Sequence, residues 1–118
     1  MGWNGINLFC FLGGRKYPTA YMESASKIVE AMSDVNFTCY SLGDGIRHTW
    51  SKDGERLPQR QIKSYTSKTK SGLTLQSSVL QLHQVKPADD GKYVCQVNTT
   101  FTRGYQHNAT AFLKVTGR

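Results

Sequence analysis

The sequence predicts an all-β fold of two packed sheets. Three observations carry that prediction. Short stretches alternate apolar and polar residues, as in Val35-Asn36-Phe37-Thr38-Cys39, and strand side chains alternate between faces. Clusters of Gly, Asp, Asn and Ser punctuate these stretches, and no helical periodicity of useful length competes with them. The run Asp89-Asp90-Gly91-Lys92-Tyr93-Val94-Cys95 then sets an acidic corner before a strand on which Tyr93, Cys95 and Val97 share a face. That face turns inward, because its residues are aromatic, sulfur-bearing and β-branched. A buried cysteine there needs a partner on a facing sheet, and Cys39 is the natural candidate.

Size and charge bound the function. The 118 residues suit one domain with a real core, not a multi-site enzyme. No run of roughly 18 apolar residues is present, so no stretch reads as a membrane span. Lys and Arg number 15 against 8 acidic residues, for a net charge of +7. That excess favours a polyanionic partner such as nucleic acid, sulfated glycan or an anionic membrane surface; the plainer reading is a soluble basic domain. The cysteine count of three is odd. Three glycosylation sequons occur, at Asn36, Asn98 and Asn108. Together with a paired cysteine they favour the secretory pathway, and so an extracellular or cell-surface setting.

Residues 1–17 read as an N-terminal extension, whether an added start, a leader remnant or an extra strand. Ile6, Leu8, Cys10 and Leu12 alternate there, and Cys10 is the leftover thiol: free, or paired between molecules. Residues 18–118 form the domain. Ile28-Val29 reads as an edge strand and residues 31–34 as a turn. Val35, Phe37 and Cys39 line the buried face of the next strand, which gives way to a loop over 41–45. Ile46, His48 and Trp50 point inward on the following strand, and Asp53-Gly54 signals a hairpin. Leu57-Pro58 starts a short return strand at an edge. Residues 59–77 are polar, basic and weakly patterned, which predicts a short edge strand with loops. Alternation resumes at Val79, with Leu80 and Leu82 inward, and Lys86-Pro87-Ala88 makes a single turn before the acidic corner. Residues 99–106 read as a loop. Ala109, Ala111, Leu113 and Val115 form the inner face of a last strand.

Trp50 follows Cys39 by 11 residues and Cys95 follows it by 56. From about residue 27 to 116 the chain resembles the immunoglobulin superfamily. The resemblance is carried by Val35-x-Phe37-x-Cys39, Trp50-x-Lys52-Asp53-Gly54, Leu80-x-Leu82-x-x-Val85, Asp89-x-Gly91-x-Tyr93-x-Cys95 and Ala111-x-Leu113-x-Val115, in order. In that family these residues lie on strands B, C, E, F and G. The resemblance implies an immunoglobulin-like Greek-key sandwich with a Cys39–Cys95 bridge between the sheets. The intermediate (I-set) type fits best, and a compact V-like domain second. Trp50, Tyr93 and Asp89 become core residues, with the Tyr93 hydroxyl turned back to backbone near Asp89. A buried Asp89 would need a cation from Arg60, Lys63 or Lys68.

No catalytic set is legible, and no cofactor or metal is expected. His48, His83 and His107 lack metal-ligand spacing, while Asp89 is accounted for by the corner and Asp90 by a solvated turn. The expectation is therefore a binding module rather than an enzyme. Partners would be a protein ligand or a second copy, with no nucleic acid and no membrane insertion. The resemblance suggests the outer C-F-G face, where Arg47, Thr49, Val94, Gln96, Phe112 and Lys114 point outward. Phe112 asks for cover, from a partner or from a neighbouring loop or the extension. Asn98 and Asn108 would crowd one end of this face if glycosylated. A second surface is electrostatic: Lys52, Arg56, Arg60, Lys63, Lys68 and Lys70 fall in a basic stretch. Heparan sulfate is the sharper reading, and lysines guarding an edge strand the plainer one. A non-binding spacer in a matrix or muscle-type modular protein is the alternative function. Cys95→Ala or Trp50→Ala is expected to abolish folding; a soluble, cooperatively melting Cys95→Ala protein would remove the disulfide assignment.

Overall fold

The computed structural model describes residues 11–12, 15–16, 19–99 and 106–117. Eleven strands follow in chain order: β1 (Phe11–Leu12), β2 (Arg15–Lys16), β3 (Tyr21–Met22), β4 (Ser26–Glu30), β5 (Val35–Leu42), β6 (Ile46–Lys52), β7 (Glu55–Arg56), β8 (Ile62–Lys68), β9 (Thr74–Leu82), β10 (Gly91–Thr99) and β11 (Gln106–Thr116). One sheet runs β4-β11-β10-β6-β7 and the other β3-β5-β9-β8, while β1 pairs with β2 in a separate two-stranded ladder. The all-β two-sheet expectation holds. The expected strands B, C, E, F and G are β5, β6, β9, β10 and β11.

The N-terminal strands divide between the sheets. Tyr21 and Met22 pair with β5, and Glu23 still donates its N–H to the Thr38 carbonyl at 2.9 Å. By Ser26 the chain has crossed over and runs parallel to β11, with Ile28 opposite Lys114. The family resemblance began near residue 27, but Ala20 already lies in the core at 4% exposure. Cys10 and most of the 99–106 loop lie outside the described residues.

Both sheets turn their alternate apolar residues inward. Phe37 and Cys39 from β5 and Leu80 from β9 meet Trp50, Tyr93, Cys95, Val97 and Ala111 from the facing sheet, all at 1% exposure or less. The Cys39–Cys95 disulfide ties the sheets across a sequence separation of 56. Chain-entropy reasoning puts such a closure at about 4 kcal/mol. The Trp50 indole N–H donates to Ser78 Oγ at 2.7 Å, so the largest core side chain has no unmet donor.

Several expected boundaries move. β5 runs on to Leu42, because Ser41 is a buried strand residue rather than a loop residue. β7 is Glu55–Arg56, ahead of Leu57-Pro58, since the Asp53-Gly54 turn closes the hairpin at once. Both turn residues have positive φ, +48° and +92°, as a two-residue hairpin of this hand requires. The 59–77 stretch contains a short 3-10 turn and the whole of β8, and β9 starts at Thr74 rather than Val79. Polar residues hid these strands: the edge strand β8 is exposed except at Ile62, and Ser78 is an inward serine committed to Trp50.

The acidic corner forms as expected, with different partners. Pro87–Asp89 is a 3-10 turn, and the Tyr93 hydroxyl donates to the Asp89 carbonyl at 2.6 Å. Burial, and then Asp89 nearby, push the Tyr93 phenol well above its ordinary value. Asp89 is only half-buried, and its carboxylate accepts the Lys86 N–H at 2.8 Å. Neither Arg60, Lys63 nor Lys68 pairs with it: a backbone donor three residues away satisfies the carboxylate locally. Asp90 is also more than a solvated turn residue. It accepts the Val115 N–H and pairs with Lys114 at 3.2 Å.

Gly91 has no room for a side chain. Its φ is +150°, and a Cβ there would come within 2.5 Å of the Asp53 carboxylate. That carboxylate is held by the Lys92 N–H at 3.1 Å and by Lys52 Nζ at 3.2 Å. Gly91→Ala is therefore expected to destabilise the domain by about 1–3 kcal/mol. In a double-mutant cycle read by urea melts, Asp53→Gly should recover part of that loss. Additive losses would show that backbone strain alone is responsible.

Candidate interaction face

The outer face of the five-stranded sheet is built by strand register. Every residue out of step with the buried set points outward. Ser51, Val94 and Thr110 form one row across β6, β10 and β11, and Thr49, Gln96 and Asn108 form the next. Arg47 and Asn98 continue that pairing towards the β10–β11 connection. In the other direction, Lys92 sits opposite Phe112, and Phe112 opposite Ser26. The expected face residues Arg47, Thr49, Val94, Gln96, Phe112 and Lys114 thus share one surface. A shallow, open depression on it is lined by Arg47, Thr49, Arg56, Val94, Gln96 and Asn98, among others.

Two members were not legible beforehand. Ile28 is 76% exposed, and the β4–β11 register puts it diagonal to Phe112, itself 54% exposed. Val94 lies diagonal to Phe112 on the other side. An oblique apolar stripe, Val94-Phe112-Ile28, therefore crosses three strands. The signal for Ile28 was its parity on β4, which becomes readable only once the parallel pairing with β11 is known. Arg56 is the other: opposite Ser51, it belongs to this face rather than to a separate basic edge.

Charge on the face is basic and partly engaged. Lys114 is paired with Asp90. The Val115 N–H first, and Lys114 with it, holds the Asp90 carboxyl below its ordinary value. The Lys92 N–H and Lys52 do the same for Asp53. Gln96 Nε2 donates to Asn108 Oδ1 at 3.3 Å, tying β10 to β11 at the sequon end.

The six residues expected to contact glycosaminoglycan are not brought together. Lys52 reaches across the corner end of the sandwich to Asp53 and to the Ala88 carbonyl. Arg56 joins the face just described, and Arg60 sits in the turn after β7. Lys63 points outward from the other sheet, opposite Val79. Lys68 donates to Thr74 Oγ1 at the far end of β9, and Lys70 lies in the adjoining turn. Of the sequon asparagines, Asn98 and Asn108 lie on the five-stranded face and Asn36 on the outer face of the other sheet.

His48 is inward and half-buried, with Nε2 3.0 Å from Ser41 Oγ. Burial lowers its pKa from 6.5 to about 4. Its ring and the sulfurs of Cys39 and Cys95 lie within 4.8 Å of one another. Both sulfurs are spent in the disulfide, so only the imidazole could serve as a ligand. Among the described residues no helix is long and apolar enough to cross a membrane.

Comparison with known proteins agrees with this architecture. Residues 18–98 match the family model described as an immunoglobulin domain, and the chain belongs to that family. It is 35% identical over 78 residues to the basement membrane-specific heparan sulfate proteoglycan core protein of Mus musculus, covering 65% of this chain and 2% of that protein. It is 29% identical over 82 residues to leucine-rich repeats and immunoglobulin-like domains protein 3 of the same organism, covering 65% of this chain and 7% of that protein. The crystal structure of Rst D1-D2 superposes with a TM-score of 0.74 at 20% identity, over 85% of this chain and 50% of that one. The last likeness shows the fold. The chain thus spans a small fraction of the curated relatives it matches. Immunoglobulin domains are typically non-enzymatic.

His48 generates a pH prediction. The folded state favours its neutral form, so its contribution is complete above pH 6.5 and is lost as pH falls from 6.5 towards 4. The contributions of Asp53 and Asp90, whose folded-state pKa values lie below 3.8, fade only at still lower pH. Thermal melts between pH 7.5 and 4.5 should show a falling midpoint in the native protein. His48→Gln should flatten that profile, and an unchanged slope would assign the effect elsewhere.

Proposed function

We propose that this domain is an extracellular recognition module of a cell-surface or adhesion protein. It binds a protein partner through the outer face of β6, β10, β11 and β4. The observation that carries the reading is the Val94-Phe112-Ile28 stripe, with two large apolar side chains left mostly exposed on a sheet whose other side packs against the facing sheet. Arg56 and Lys92 flank it, so the matching surface on the partner is apolar at its centre and acidic at its rim. The net charge of +7 favours a partner of different sequence over a second copy of the chain. Glycans on Asn98 and Asn108 would confine contact to the end of the face that holds the stripe.

Heparan sulfate is the second ligand class, supported by the basic excess between residues 45 and 70. The dispersion of Lys52, Lys63 and Lys68 over three surfaces points to weak, non-specific retention. Elution from heparin-agarose no later than from a cation exchanger of matched charge would fit that. A non-binding spacer draws its support from the length of the modular relatives.

The reading is tested with the domain multimerised on a tag and screened against a panel of purified ectodomains. Phe112→Ser is expected to weaken any specific pair at least tenfold, a loss of about 1.4 kcal/mol, without lowering the thermal midpoint. Binding unaffected by Phe112→Ser and by Ile28→Ser would move the site off this face.

A further inference from the structure

The outer face of the four-stranded sheet carries a feature that the partner-binding reading does not use. Tyr21 on β3 pairs with Tyr40 on β5, Tyr40 with Ser77 on β9, and Ser77 with Tyr65 on β8. Three tyrosines therefore stand in one row across the whole sheet, exposed by 47%, 36% and 55%. The Tyr21 and Tyr40 rings are 5.9 Å apart and tilted by 31°, so they form a joined aromatic surface. Tyr65 stands beyond Ser77 at two inter-strand spacings, about 10 Å. The row itself is uncharged; Thr38 lies between the tyrosines and the corner end of the strand, in a row that continues to Val79 and Lys63.

Asn36 lies on the same strand and the same face. Its neighbours Val35 and Phe37 are buried at 3% and 1%, while Asn36 itself is exposed. Asn36-Phe37-Thr38 is a sequon, and the Thr38 side chain shares the outward face with Asn36. Two strand repeats, about 13 Å, separate Asn36 from Tyr40 along β5. The first two sugars of an N-linked glycan span that distance. The C–H faces of pyranose rings stack on aromatic planes, and their hydroxyls find partners in Thr38, Ser77 and the tyrosine hydroxyls on the same face. A core glycan is uncharged, as this row is. An exposed aromatic surface on a sheet asks for cover, and here a candidate cover is tethered to the same strand.

We propose that Asn36 carries an N-linked glycan that folds back along β5 and covers Tyr40 and Tyr21. In the attachment step, Asn36 Nδ2 forms a bond to the anomeric carbon of an oligosaccharyl diphospholipid. The anomeric C–O bond breaks, the lipid diphosphate leaves with the electron pair, and the amide gives up one proton. The glycan then acts as an added layer on the sheet. It hides the tyrosine row from other chains and leaves the opposite face of the sandwich as the open one.

The test uses the full 118-residue chain secreted from glycosylating cells. Peptide mapping by mass spectrometry reads occupancy at Asn36. Hydroxyl-radical footprinting reads Tyr21, Tyr40 and Tyr65 before and after enzymatic removal of glycan from the folded protein. Occupied Asn36 is expected, with Tyr21 and Tyr40 oxidised severalfold more slowly in the glycosylated form. Asn36→Gln, which keeps the sequons at Asn98 and Asn108, should match the deglycosylated footprint. Thr38→Ala supplies the same comparison if Asn36→Gln is poorly secreted. Tyr40→Ala should leave Asn36 occupied but abolish the rise in thermal midpoint that the glycan confers. An unmodified Asn36, or equal oxidation with and without glycan, overturns the proposal. So does protection of the tyrosines in Asn36→Gln by dimerisation in light scattering, which would give the face to a second copy.

Discussion

The packing of the Trp50 indole against the Cys39–Cys95 disulfide is the contact on which the rest of the sandwich depends. It fixes which residues of β5, β6 and β10 face inward, and so fixes the outer faces by exclusion. The bridge restrains the unfolded chain, while the indole fills the space between the sheets and meets its one polar requirement through Ser78. Neither does the other's work. A sandwich with the bridge alone would have a hole at its centre, and one with the indole alone would rest on non-local contacts with no covalent closure.

The corner end adds a second restraint. Asp53 in the β6–β7 turn holds the Lys92 N–H near the start of β10, and Asp90 holds the Val115 N–H of β11. Three strands of the five-stranded sheet are thus registered by two carboxylates acting on backbone donors. Gly91 lies between them because a side chain would displace the first carboxylate. Asp53 and Asp90 are structural, and their lowered pKa values follow first from accepting N–H groups rather than from any chemistry performed there.

Much of the fold was legible because β alternation, turn residues and the Cys-Trp-Cys spacing all point the same way. The buried faces of β5, β10 and β11 follow directly from parity. What was missed shares one physical cause. Ser41, Ser78 and the polar run of β8 are strand residues with polar side chains, whether buried against a polar partner or exposed on an edge, so apolar alternation could not report them. The outward set on β6, β10 and β11 was readable from the same parity that gives the core. Ile28 was not, since its place depends on a parallel pairing that local pattern does not encode. The basic residues between 45 and 70 looked like one patch only because they are close in sequence. The strands distribute them over several surfaces.

The crossing of the N-terminal segment from β5 to β11 also has a mechanical meaning. β4 and β11 run parallel, with Ser26 beside Phe112 and Glu30 beside Thr116. The chain enters one end of this ladder and leaves by the other. A force pulling the two ends of the domain apart therefore slides the strands along each other. The ladder and the Phe112 N–H to Ala25 carbonyl bond at 3.0 Å load together instead of opening one by one. Ile28 and Phe112, exposed along this seam, place the proposed contact surface on the part of the domain that bears tension.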